Sequence, residues 1–132
     1  MARPTFWVLA AVLSGALLSV SWMRWMDPLI DFGRELYLPW RVLHGEYPHR
    51  DLVHPYGPFS VYFNAGLFAV FGVSIRVLVL ANLVIFAGIV VCLFGFLRRA
   101  FGFLPAAAST LMAIVVFGFP HYAGINNYTY AA

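Results

Sequence analysis

The chain has 132 residues, of which 63% are hydrophobic and only 10% are charged. Soluble domains are about 45–50% apolar and about 25% charged. A folded chain of this length leaves about a third of its surface in contact with solvent. So much apolar surface argues against a water-soluble globular domain and predicts a lipid environment, and the same composition excludes an intrinsically disordered chain.

The charged and metal-binding residue types exclude several classes of site. The formal net charge is +3. The eight basic residues are all arginines spread along the chain, so no nucleic-acid-binding patch is predicted. The single cysteine, Cys92, excludes an internal disulfide and is expected to be a small buried hydrophobic residue. The four histidines have no metal-ligand spacing, so they predict no metal site.

Three apolar runs have the composition of transmembrane helices: residues 5–23, 74–97 and 104–120. The first would be about 30 Å long as a helix, which is enough to cross the hydrocarbon core. A cleaved signal peptide is the alternative for this run. The second is the strongest and is closed by Arg98 and Arg99. The third is shorter and tolerates Pro105 in its first turn.

Residues 58–72 form a fourth apolar segment with different properties. As a helix it would be about 21 Å long, too short for a hydrocarbon core of about 30 Å. It begins with Pro58 at the first helical position and ends at Gly72, which are favourable helix-start and helix-end residues. We expect an in-plane or re-entrant helix rather than one that crosses the membrane.

The number of crossings sets the topology. With three crossings, Arg3 and the Arg98–Arg99 pair share the cytoplasmic side, as the positive-inside rule requires. The loop of residues 24–57 and the C-terminal end then lie on the outer side of the inner membrane. If the short helix crosses instead, Arg98 and Arg99 move outside, against the rule.

The outer loop contains all five acidic residues of the chain: Asp27, Asp31, Glu35, Glu46 and Asp51. Asp27 before Pro28 is a helix-start signal. Apolar residues then form one stripe at helical spacing: Phe32, Leu36, Trp40 and Leu43. Gly45 suits the C-terminal cap. The pattern predicts an amphipathic helix on the membrane surface, bent at Pro39, which leaves the Glu35 carbonyl without its helical partner.

Each acid has a structural interpretation beside any functional one. Asp27 fits a helix N-cap. Asp31 fits either a first-turn acid favoured by the helix dipole or a catalytic group, and spacing leaves both open. Glu35 and Glu46 fit solvated charges on a helix face and in a turn. Asp51 either pairs with Arg50 or serves as a turn residue.

The order of several short motifs resembles the N-terminal part of the GT-C-type membrane glycosyltransferases. It is closest to the branch that includes lipid A aminoarabinose transferase and the lipopolysaccharide sugar transferases, with protein O-mannosyltransferase more distant. Four segments carry the resemblance: residues 31–45, 47–51, 56–62 and 67–72. The chain differs from many relatives in having Phe32 after the early acid and Gly57-Pro58-Phe59 in place of Pro-Pro-Leu.

The resemblance implies a fold and an activity. The fold is an all-α integral membrane protein with three transmembrane helices and amphipathic juxtamembrane helices in the first outer loop. The activity is transfer of a sugar from a polyprenyl-phosphate-type carrier to an acceptor of the cell envelope at the outer membrane face. Relatives have many more helices, so we expect residues 1–132 to be one membrane domain from a longer enzyme, inactive without the remaining helices.

The resemblance also implies roles for particular residues. Asp31 corresponds to the early acid that activates the acceptor hydroxyl as the catalytic base. Five further residues are expected to bind substrates: Arg34, Glu35, Asp51, His54 and Tyr56. Some relatives use a divalent metal and others do not, so the resemblance leaves this cofactor open. The expected partners are the lipid bilayer and a lipid-linked sugar donor, with no nucleic acid.

A second class of function fits the same pattern. A three-span protein with a polar loop is also typical of a non-catalytic subunit of a transporter or an envelope assembly. In that case the loop docks a partner, and Asp31 serves only the helix dipole.

Overall fold

The computed structural model describes residues 4–22, 31–53 and 57–118, with the backbone alone at residues 21, 31, 32, 117 and 118. Across these ranges the regular secondary structure is entirely helical, as predicted. The five α-helices are α1 (Pro4–Ser21), α2 (Asp31–Leu43), α3 (Phe59–Phe71), α4 (Ile75–Phe101) and α5 (Phe103–Ala113), and α5 continues into a π-helical turn at Ile114–Gly118.

The helix α4 is, among the described helices, the one long and apolar enough to cross a membrane. It covers the predicted span of residues 74–97 from Ile75 onward and ends just after Arg98 and Arg99. Cys92 is exposed on its surface rather than buried as expected. The helices α1 and α5 each begin one residue before the predicted spans 5–23 and 104–120 and otherwise lie inside them, but both are shorter apolar helices. The crossing of the membrane by all three segments therefore stays a prediction.

The short apolar helix is confirmed almost to the residue. Its 13 residues begin at Phe59, directly after Pro58, and end at Phe71. Gly72 follows with φ of 83°, and its N–H donates to the Phe68 carbonyl at 2.9 Å. This left-handed conformation is accessible to glycine without the steric penalty of a Cβ atom.

The chain divides into two compact units. Among the described residues, the first comprises 4–22 and 84–118 and is called here the aromatic unit, and the second comprises 31–53 and 57–83 and is called the loop unit. In the aromatic unit, Phe6 stacks on Phe94 with ring centroids 4.3 Å apart. Ala106 completes this buried cluster, and the Arg98 guanidinium lies 6.0 Å from the centre of the Phe94 ring.

The loop unit is organised by the packing of α2 on α3. Leu38 of α2, Val61 of α3 and Leu52 of the intervening loop form one buried cluster, with Val42 packed against it. A small apolar cluster therefore joins both helices to the loop between them.

The face of α2 that packs on α3 is not the predicted apolar stripe. Of that stripe, Leu36 is half-buried, while Trp40 and Leu43 are 40% and 42% exposed. The buried residues of α2 lie on a neighbouring face of the helix: Glu35, Leu38 and Pro39, with Val42 partly buried. The helix thus has one face against α3 and a second apolar face that remains exposed.

The end of α3 yields a first prediction. Gly72→Ala places a Cβ in a left-handed conformation and should lower the free energy of unfolding by about 1–2 kcal/mol. Gly66→Ala is the matched control, because Gly66 is exposed inside α3 with no atom within 4 Å of an added Cβ. It should raise stability by about 0.5–1 kcal/mol. Unfolding of the detergent-solubilised chain, followed by circular dichroism, measures both, and changes of the same sign would contradict this account.

Candidate functional site

Asp31, the predicted catalytic base, is the first residue of α2. The structure describes its backbone but not its side chain. Three other predicted residues, the cap Asp27 and the substrate-binding His54 and Tyr56, lie outside the described residues. Arg34 is half-buried on the first turn of the same helix.

Glu35 lies one turn after Asp31 and is buried, with 2% of its surface exposed. The side-chain amide of Asn64 on α3 donates to Glu35 Oε2 at 3.2 Å, and Asn64 itself is fully buried. This hydrogen bond joins two helices whose partners are 29 residues apart in the chain. It is a polar contact inside an otherwise apolar helix interface.

The interpretation of Glu35 as a solvated helix-face charge was therefore wrong. Glu35 shares the α3-facing side of α2 with Leu38, which the stripe of residues 32, 36, 40 and 43 does not include. A carboxyl group in such surroundings loses its hydration, and the Asn64 amide compensates part of that cost. Glu35 is thus placed to hold the two helices together, and the predicted contact of its carboxyl with substrate stays a prediction.

Asn64 is the residue that sequence reasoning missed. One signal was present: Ser60 and Asn64 are four residues apart in a strongly apolar helix, so they lie on one face. Both are buried, with 4% and 0% exposure. Polar residues on a single face of a short apolar helix indicate a polar partner, which for Asn64 is Glu35.

A second group of hydrogen-bonded polar side chains lies at the C-terminal end of α2. Arg41 Nε donates to Glu46 Oε1 at 2.5 Å, and Arg41 Nη1 donates to the Tyr37 hydroxyl. The hydrogen bond to Glu46 raises the pKa of Arg41 above its ordinary value. Glu46, predicted to be a solvated turn charge, is instead half-buried and ion-paired. The cluster connects the end of the helix to the start of the loop.

The loop after α2 is held together by Asp51. This carboxylate accepts a hydrogen bond from the Tyr47 N–H at 2.9 Å and from Arg50 Nη2 at 2.8 Å. The Arg50 guanidinium lies 4.4 Å from the centre of the Tyr47 ring. Of the two interpretations of Asp51, the pairing with Arg50 is therefore confirmed, and a role as a turn residue alone is wrong. Its carboxylate bonds within the loop, whereas Glu35 bonds across to α3.

The tip of this loop has a strained residue and a shallow recess. His49 adopts φ of 67°, which is uncommon for a residue other than glycine. Its N–H donates to the Leu52 carbonyl at 3.1 Å. Residues 49–53 line a recess of about 320 Å³. Because Leu52 belongs to the α2–α3 cluster, the recess is fixed to the same interface as Glu35.

The side chains that the structure describes include no cluster of three or more His, Cys, Asp or Glu residues that could hold a metal ion. Carboxylates are the preferred protein ligands of hard divalent cations. Glu35 and Asp51 supply carboxylates in the described part, but they lie in separate hydrogen-bonded groups. A divalent metal cofactor stays a prediction.

Comparison of the chain with protein-family models, with curated proteins and with solved structures finds no match. The assignment of function therefore rests on the residues and geometry described above.

The Asp51 contacts predict a pH response. Hydrogen bonds from Arg50 and from the Tyr47 N–H hold the pKa of Asp51 below its ordinary value of 3.8. A carboxyl with a lowered pKa stabilises the folded loop above the unfolded value, and this stabilisation is lost as pH falls through the folded value. In the detergent-solubilised chain, the Tyr47 amide proton resonance should therefore titrate with a midpoint below 3.8.

Two variants make this titration specific. Asp51→Asn should abolish the low-pH shift of the Tyr47 amide, since Asn keeps the shape but does not ionise. Glu46→Gln, which changes a carboxylate bonded to Arg41 instead, should leave the shift in place. A Tyr47 titration that survives Asp51→Asn would show that another group controls the loop.

Proposed function

We propose that this chain supplies the first outer loop and adjacent helices of a membrane glycosyltransferase. The enzyme transfers a sugar from a polyprenyl-phosphate carrier to a cell-envelope acceptor at the outer face of the inner membrane. The observation that carries the proposal is the buried Glu35–Asn64 contact, one helical turn after Asp31. Buried carboxyl groups in apolar surroundings are costly and concentrate at functional sites.

The position of this contact in the chain supports the proposal. Both α2 and α3 precede α4, which is long enough to cross a membrane. Trp40 and Leu43 are exposed on the second apolar face of α2, which suits contact with the lipid interface. With the three proposed crossings, Asp31 at the start of α2 lies beside the bilayer in this proposal, where a lipid-linked donor presents its phosphate.

The proposed reaction consists of one proton transfer and one substitution at the anomeric carbon of the sugar. The acceptor hydroxyl attacks the anomeric carbon of the sugar, and its proton passes to the Asp31 carboxylate. The bond between the anomeric carbon and the phosphate oxygen breaks, and the polyprenyl phosphate leaves with the bonding electron pair. Arg34 stabilises the charge that gathers on the phosphate, because guanidinium groups make strong hydrogen bonds to phosphate oxygens.

The direct test is Asp31→Asn in the complete gene product, in membranes of the source cell. Asn preserves size and most hydrogen bonding but cannot accept the proton. Loss of a general base lowers rates by about 10²–10⁴-fold. The measurement is the transfer of metabolically labelled sugar from the lipid-linked pool to the envelope acceptor, at equal protein levels.

Asp27→Asn is the matched control, because Asn caps a helix about as well as Asp. That variant should stay active. Loss of a general base lowers the rate by about 100-fold or more. If Asp31→Asn retains more than about a tenth of the wild-type rate, Asp31 is therefore not the base. If the wild-type protein itself transfers no sugar, the non-catalytic subunit is the better assignment.

The proposed topology makes a separate prediction. In a Cys92→Ser background, His49→Cys should react with a membrane-impermeant thiol reagent added to intact spheroplasts. Ala100→Cys, beside Arg98 and Arg99, should react only after the membrane is permeabilised. Both positions are exposed on the chain, so packing within the chain does not mask either. The opposite labelling pattern would refute the three-span arrangement.

A further inference from the structure

Three polar side chains of α2 and α3 are buried. Glu35 is 2% exposed, Ser60 is 4% exposed and Asn64 is fully buried. The same two helices bring Leu38 and Val61 together in one buried apolar cluster. In the proposed reaction the proton passes to Asp31, and Glu35 takes no chemical step of its own. Its burial one helical turn after Asp31 therefore points to a supporting role at the same site.

Stability alone does not explain this polar contact. Replacing a buried polar pair by apolar residues of similar volume is often neutral or stabilising, whereas removing one partner is destabilising. Buried polar pairs are best known as devices that specify one register or one rotation between helices. An apolar interface tolerates sliding and rotation, but a hydrogen bond of 3.2 Å between two single atoms does not.

We propose that Glu35 and Asn64 are positioning residues, which fix the rotation and axial position of α2 on α3 and thereby place Asp31. This inference rests on the proposed function, in which Asp31 is the base. A helix rises 1.5 Å and turns about 100° per residue, so Asp31 stands about 6 Å from Glu35 along the axis of α2. A shift of one residue in the register of α2 on α3 would rotate Asp31 by about 100° about the axis of α2.

The same contact also positions the loop. Leu52 packs with Leu38 and Val61. A backbone bridge between Pro48 and Leu52 closes the turn that contains His49. A rotation of α2 would move Leu38 out of this cluster and release Leu52. The Glu35–Asn64 contact thus fixes two features relative to α3: the start of α2 and the recess lined by residues 49–53.

The first readout of the test is independent of activity. In the Cys92→Ser background, Leu38→Cys with Val61→Cys should form a disulfide under mild oxidation in native membranes, because both side chains lie in one buried cluster. Leu38→Cys with Tyr62→Cys is the matched control. Tyr62 follows Val61 but is 45% exposed, so this pair should cross-link poorly.

The second part of the test exchanges the amide donor and the carboxylate acceptor between α3 and α2. Asn64→Asp places two carboxyl groups against each other and should lower the Leu38→Cys/Val61→Cys cross-linking yield about tenfold, equivalent to ~1.4 kcal/mol. Adding Glu35→Gln restores one amide donor and one carboxylate acceptor with their helices exchanged. This double variant should recover the cross-link and also the sugar-transfer rate of the complete gene product.

The outcomes separate the two proposals. Recovery of both cross-link and transfer by the exchanged pair supports a positioning role. Recovery of the cross-link without transfer overturns it, because the carboxyl must then act from α2 itself. An unchanged cross-link in Asn64→Asp also overturns it. If the cross-links behave as expected but the unaltered protein transfers no sugar, the Glu35–Asn64 contact still fixes α2 on α3, and the proposed function is wrong.

Discussion

A carboxyl group buried against an amide between two helices is the constraint on which the loop unit depends. Asn64 of α3 donates to Glu35 of α2, both side chains are buried, and Leu38 and Val61 of the same helices pack in one apolar cluster. A buried polar group is tolerated when its hydrogen bond has good geometry. Only a narrow range of helix rotations satisfies this condition, so the contact specifies how α2 lies on α3. Leu52 then attaches the intervening loop to the same surface.

The second constraint is the large apolar surface that the fold leaves exposed. Val84 and Leu104 are 74% and 78% exposed, and Val12 is 64% exposed. Apolar patches of this extent on a soluble protein mark contacts with a membrane or another protein. The proposed lipid setting accounts for them directly, because side chains on α1, α4 and α5 then face acyl chains. The polar contacts of the loop unit, at Arg41, Glu46 and Asp51, lie in the part assigned to the aqueous side.

Local features of this fold were predictable, whereas the contact between helices was not. Pro58 and Gly72 bound α3 because the backbone preferences of proline and glycine act within one or two residues. Asp51 pairs with its neighbour Arg50, and its carboxylate also accepts from the Tyr47 N–H four residues earlier. Glu35 and Asn64 are 29 residues apart, and no local preference brings them together. The stripe at residues 32, 36, 40 and 43 has the expected period, but periodicity does not tell which of two faces meets a helix and which meets lipid.

The central claim is the hydrogen bond between Asn64 and Glu35, and solid-state NMR can measure it directly. The chain would be reconstituted in lipid bilayers with ¹⁵N-labelled asparagine and ¹³C-labelled glutamate, and dipolar dephasing would be recorded between side-chain Nδ2 and Cδ. The 3.2 Å distance from Nδ2 to Oε2 predicts strong dephasing of one glutamate carboxyl resonance, which disappears in Asn64→Leu. A Glu35 carboxyl with no dephasing in the unaltered chain would contradict the account.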